Sequence, residues 1–117
     1  MSTRHTGALG EEMAEKYLKR RGYKIIEKNF RASRLAEIDI VAKDKDILVF
    51  VEVKLRTGAR YGLGREAVDR KKQEHIRYAA SYWMAVKEKK EVACRFDVVE
   101  ITFMGEQAEI ELIQNAF

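Results

Sequence analysis

The chain contains no proline and only one cysteine. Without proline, no ring-locked turn or helix breaker interrupts it, so its seven glycines supply most of the punctuation. Cys94 has no second thiol, which excludes an internal disulfide and a thiolate metal cluster. Its apolar strand context marks it as a small buried residue. The two histidines, His5 and His75, have no His or Cys company at ligand spacing, which argues against a zinc site. No apolar run reaches the roughly 18 residues that read as a membrane span. The N-terminus leads into a charged helical pattern and not an apolar signal core, so a cytoplasmic protein is expected.

What is present is an ordinary apolar fraction, 46%, with a high charged fraction, 36%. No repeat, low-complexity tract or linker divides the 117 residues, so one domain spanning 1–117 is expected, large enough for a real core. The net charge of +4 modestly favours a polyanionic partner.

Periodicity and breakers predict the elements. Thr6 to Arg21 reads as a helix with apolar stripe Leu9, Met13, Ala14, Tyr17 and Leu18, stopped by Gly22. Tyr23 to Phe30 reads as a strand centred on Ile25 and Ile26, followed by a basic turn, Arg31 to Leu35. Two strands around Glu37–Val41 and Ile47–Lys54 form a hairpin. A loop rich in glycine and arginine runs from Arg56 to Arg65. A long helix follows from Asp69 as N-cap to about Lys87, with Ile76, Ala79, Ala80 and Trp83 inward. Val92 to Phe103 and Ala108 to Ile113 are the last strands, joined at Gly105-Glu106. This order predicts an α/β sandwich: a mixed sheet of about five strands, antiparallel at its start, with a helix on each face.

The hairpin carries the chemistry. Side chains alternate along strands, so Glu52 and Lys54 share a face, and Glu37, Asp39 and Val41 share one opposite Ile38 and Ile40. A two-residue loop at Asp44-Lys45 sets Val41 against Leu48, Asp39 against Phe50 and Glu37 against Glu52. Asp39, Glu52 and Lys54 then project together, with the two carboxylates diagonal neighbours about 7–8 Å apart. A strand apolar at every position from Ile47 to Val51 is covered on both faces, so charges leaving its end are costly unless paired or metal-bound. Two carboxylates and a lysine suit phosphodiester cleavage. Asp39 and Glu52 would ligate Mg²⁺ or Mn²⁺, and Lys54 would meet developing phosphate charge. The bland reading of Glu-x-Lys is a strand-end ion pair in solvent.

Glu11 flanks the buried stripe of the first helix, where it can add a third carboxylate to the metal or simply meet the helix dipole. Gln73, on the inward stripe of the second helix, can position the site or bond to a loop. Arg31, Arg34, Arg56, Arg60 and Lys72 surround these residues, with Tyr61, Arg65, Arg70 and Lys71 nearby, and suit contact with nucleic-acid phosphates.

Several of these segments together resemble the YraN-like family, small bacterial proteins placed in the restriction-endonuclease-like, PD-(D/E)XK superfamily. They are Gly10-Glu11 with Ala14 and Tyr17-Leu18, Asn29-Phe30-Arg31, Glu37-Ile38-Asp39, Phe50-Val51-Glu52-Val53-Lys54, Ala67-Val68 with Lys72-Gln73, Arg95-Phe96-Asp97-Val98, and Asn115-Ala116-Phe117. The resemblance runs end to end and implies the superfamily's helix-flanked sheet. It maps the signature aspartate to Asp39, the acidic residue to Glu52 and the lysine to Lys54. Glu11 resembles the first-helix glutamate of archaeal Holliday-junction resolvases. Ala36 departs from the glycine the family usually has before Glu-Ile-Asp, a change that touches no ligand. The function expected is a metal-dependent nuclease acting on DNA, including branched or repair intermediates, with a homodimer as a candidate assembly. The alternatives are a non-catalytic nucleic-acid-binding module and an interaction subunit of a repair or processing complex.

Overall fold

A computed structural model describes residues 3–57, 68–88 and 92–117. The order is α1 (Thr3–Arg20), β1 (Lys24–Arg31), β2 (Glu37–Asp44), β3 (Ile47–Thr57), α2 (Arg70–Trp83), β4 (Cys94–Met104) and β5 (Gln107–Ile113). The five strands form one sheet in the order β1-β2-β3-β4-β5. Only β3 and β4 run parallel; the other neighbours are antiparallel. The parallel step is where α2 crosses between strands, so the predicted mixed sheet with a helix on each face is the observed fold.

Each element ends for an identifiable reason. Gly22, at φ 91, closes α1: Tyr23 N–H donates to the Leu18 carbonyl at 3.0 Å and Gly22 N–H to the Lys19 carbonyl at 3.0 Å. The predicted cap of α2 is present, Asp69 accepting from Lys72 N–H at 2.8 Å. The helix closes with a π-helical turn, Met84–Glu88.

Apolar side chains form a core on each sheet face. On one side Ile76, Ala79, Ala80 and Trp83 of α2 pack on Val41, Leu48, Phe50, Phe96 and Val98. On the other, Ala14 and Leu18 of α1 pack with Tyr23 on Ile40, Ala42, Val49, Val51, Val99 and Ile101. Gly10 lies where a side chain would strike Leu55, so its lack of a Cβ lets α1 settle directly onto β3.

The structure corrects four local expectations. The β2–β3 turn is Lys45-Asp46, because Asp44 stays in the strand opposite Ile47, held by Arg95 of β4 at 2.8 Å. Every pair shifts by two, so Val41 meets Phe50 and not Leu48; from Ile40 to Asp44 the faces survive because parity is unchanged. Ile38 and Ile40 do not share a core: Ile38 packs on the α2 side and Ile40 on the α1 side, so β2 is wrung about Asp39. Ile26 is not a strand centre. It is the extra residue of a bulge between Ile25 and Glu27 and is 43% exposed. Cys94 is exposed, because it opens β4 at the sheet's end.

Candidate active site at the fork of two strands

Beyond the pair Ile40 and Val51, β2 and β3 part company. β2 continues against β1 as far as Glu37, while β3 continues against β4 as far as Thr57. One step past the last pair, Asp39 comes level with Glu52. The shifted register makes Asp39 and Glu52 the next residues along the two parting strands, near enough for the Asp39 charge to act on Glu52. At the fork, the Val53 N–H has no β2 carbonyl to meet and donates to Asp39 Oδ2 at 2.8 Å. That bond fixes one Asp39 oxygen and leaves Oδ1 for another partner.

Both carboxylates lie in low-dielectric surroundings. Burial pushes Asp39 up to about 6, and the charges of Glu11 and Glu37 add to the rise, against the opposing Val53 bond. Burial first, and then the charge of Asp39, pushes Glu52 up to about 8, opposed by Lys72 and Lys54. The Glu52 side chain is only 11% exposed, and Lys72 Nζ stands 3.9 Å from its Oε1. Lys72 thus sits beside a site carboxylate, carried there by the first turn of α2.

The other sequence candidates divide. Glu11 lies near enough to act on Asp39 electrostatically. It is held by Asn29, whose amide lies 3.0 and 3.2 Å from the two Glu11 oxygens when its nitrogen is turned toward them. Asn29 was not singled out as a site residue. Its signal is an amide at φ 55, a conformation asparagine accepts more readily than most residues. Gln73 donates to the Val68 carbonyl at 2.9 Å, the helix-to-loop bond, and so braces the start of α2. Arg31 pairs with Glu37 at 2.8 Å, and Arg34 is exposed. Arg56 belongs to β3 and not to the following loop. Its Nε lies 3.2 Å from Glu100 Oε1 without hydrogen-bond alignment, and Glu100 Oε2 has no partner among the described residues. Arg60, Tyr61 and Arg65 lie outside the described residues.

The donor set can be tested against a divalent ion. Among the described residues no three His, Cys, Asp or Glu side chains converge as a ready metal cage. The fork instead offers two partly buried, mutually repelling carboxylates. A hard cation that keeps several waters and takes substrate oxygens needs few carboxylates, so the fit is to Mg²⁺-like coordination.

Fold and fork together define a class: an α/β protein with a five-stranded mixed sheet between two helices and a partly buried carboxylate pair where β2 and β3 diverge. The chain belongs to the uncharacterised protein family UPF0102, whose model matches residues 10–101, a span that contains every residue of the fork. It is 50% identical over 111 residues to a UPF0102 protein of Geobacter metallireducens, covering 95% of this chain and 90% of that one. It is 44% identical over 119 residues to one from Acetivibrio thermocellus, covering 97% and 92%. Similarity to the Caldicellulosiruptor saccharolyticus protein spans both chains completely, at 42% identity. Among the described residues no helix is long and apolar enough to cross a membrane.

Proposed function

We propose that this protein is a Mg²⁺- or Mn²⁺-dependent nuclease acting on DNA, with branched and repair intermediates as the substrate class. The observation that carries the reading is the pairing of Asp39 and Glu52, both partly buried and both pushed upward, across a strand fork with lysines alongside. Two partly buried carboxylates that repel each other are costly in a structural role, and a bound cation turns that cost into affinity.

Asp39 through Oδ1 and Glu52 would hold the metal, which when bound neutralises phosphate charge and lowers the pKa of a water. The Val53 N–H keeps Asp39 from turning away. Glu11, steadied by Asn29 and close enough for its charge to act on Asp39, would serve as a further carboxylate acceptor at the site. Lys54, on the same face of β3 as Glu52, meets the phosphate oxygen that gains charge as the bond breaks. Lys72, beside Glu52, would pair with a phosphate of the nucleic acid. Gln73 acts one step removed, anchoring α2 so that Lys72 is presented correctly.

The test is cleavage of labelled duplex, single-stranded, flap and four-way-junction DNA with Mg²⁺ or Mn²⁺. Asp39→Ala and Lys54→Ala should each lower the rate about 10²-fold or more with the fold intact. Cleavage retained in Asp39→Ala overturns the assignment. Salt-sensitive binding without cleavage by the wild type selects the non-catalytic binding module instead.

A further inference from the structure

Charge is unevenly shared over this molecule. Helix α2 carries Arg70, Lys71, Lys72 and Arg77 against a single carboxylate, Glu74, and all five side chains are exposed. Strand β5, at the opposite edge of the sheet from β1, carries Glu109 and Glu111 and no cation. A polyanion therefore meets attraction along α2 and repulsion along β5. The same helix exposes two aromatic rings, Tyr78 at 56% and Tyr82 at 47%. Neither serves the core, whose α2 residues are Ile76, Ala79, Ala80 and Trp83. Lys71, His75, Tyr78 and Tyr82 follow one another at spacings of four, three and four, so they form one line about 16 Å long on the helix surface. The head of the line lies beside the fork, because Lys72, next to Lys71 in the chain, stands 3.9 Å from Glu52. Its other end leans on β1, where Phe30 meets the Tyr82 ring with centroids 6.1 Å apart. Among the described residues Lys71 makes no ion pair.

We infer that this line is a track for a single-stranded segment of the DNA substrate, its cations meeting phosphates and its two tyrosines stacking on unpaired bases. Charge complementarity selects the polyanion, since one sign dominates the helix. A protein partner is a poorer match, because lysine is depleted at the centres of protein interfaces and here it heads the line. The tyrosines select the single strand. A duplex keeps the faces of its bases covered by their neighbours, so rings on a convex helix gain nothing from it; unpaired bases offer those faces. Tyr78 and Tyr82 stand one turn apart, about 6 Å along the axis, which lets each take a different base. The Phe30 contact restrains Tyr82 in advance, so less freedom is lost when a base stacks on it. This choice of substrate rests on the proposed nuclease reading for what happens at the fork, which a strand lying on α2 would enter beside Lys72.

Fluorescence anisotropy in chelator, where no metal-dependent cutting intervenes, tests the track. The probes are a labelled oligothymidylate of about twelve nucleotides and an abasic phosphodiester of the same length. The full chain should bind the base-bearing strand at least tenfold more tightly than the abasic one. Tyr78→Ala should remove about tenfold of that affinity, leave abasic binding unchanged and keep the wild-type circular dichroism spectrum. Tyr78→Phe should bind like wild type, since the ring and not the hydroxyl stacks. Lys71→Ala should weaken both probes alike and reduce the slope of log affinity against log salt by about 0.7. A base-bearing strand bound no better than the abasic one overturns the track, and so does Tyr78→Ala that binds like wild type or weakens both probes equally. If the preference for bases holds while no substrate is cleaved with any metal, the nuclease reading falls and the track stands. Cleavage without that preference removes the track alone.

Discussion

Glu52 is the residue whose environment is most at odds with its charge. Its carboxyl rises from an ordinary 4.5 to about 8, because burial and Asp39 both disfavour the anion. The folded value lies above the unfolded one, so the uncharged form is what folding favours. Its contribution to stability is therefore fully present below about 4.5 and is lost as pH rises through about 8. In chelator, Glu52→Gln should match wild type near pH 5 and exceed it by about 1–2 kcal/mol near pH 8. Urea unfolding of both proteins across that range measures this, and a difference flat with pH would show that Glu52 is not held uncharged. Mg²⁺ should stabilise wild type at pH 8 by mass action and leave the Asp39→Ala variant unmoved. The same scale explains Asn29, Lys72 and Gln73: each is recognisable only from what it touches.

At the scale of elements, the β2–β3 hairpin decides the site. Its two-residue turn places Lys45 at φ 57, a left-handed conformation that costs a residue with a Cβ. Lys45→Gly should stabilise the protein by about 1 kcal/mol without altering the register, measured as a raised denaturation midpoint with unchanged m-value. Destabilisation would mean that the lysine side chain makes a contact worth more than the backbone strain. Much of this scale was legible beforehand. Alternation put Asp39, Glu52 and Lys54 together, Gly22 and Asp69 marked helix ends, and the α2 stripe was correct. The turn position was not, because Asp44 is drawn into β2 by Arg95, 51 residues away. No local signal reports a partner that distant.

For the whole molecule, a buried polar knot gathers around Asp97 of β4. Asp97, fully buried, accepts from Tyr23 OH at 2.8 Å, from Arg95 Nε at 3.0 Å and from the Asn115 N–H at 2.9 Å. Gln114 donates to Tyr23 OH at 2.8 Å, and burial raises the Tyr23 hydroxyl above its ordinary value. Phe117 stacks on Phe96 at 5.1 Å, with the Arg77 guanidinium over both rings. The knot ties β1, β2, β4 and the C-terminal residues into one unit. Asp97→Ala should cost about 3–5 kcal/mol, since it leaves Arg95 and the Tyr23 hydroxyl short of partners. Thermal unfolding reads this, and a loss below 1 kcal/mol would show that the knot is not structural.

The sequence by itself determined the class of fold, the helix caps, the two apolar faces and the identity of the fork residues. These follow from periodicity, from the conformations glycine and aspartate favour, and from the cost of placing charge at the end of an apolar strand. Only the tertiary structure decided that Asp39 and Glu52 follow the last pair of the hairpin where β2 and β3 part, that Lys72 reaches Glu52, that Asn29 holds Glu11, and that Ile26 and Cys94 lie outside the core. Each of these depends on a contact between segments far apart in the chain. Such contacts are chosen by the packing of the whole sheet and its two helices, which no local pattern encodes.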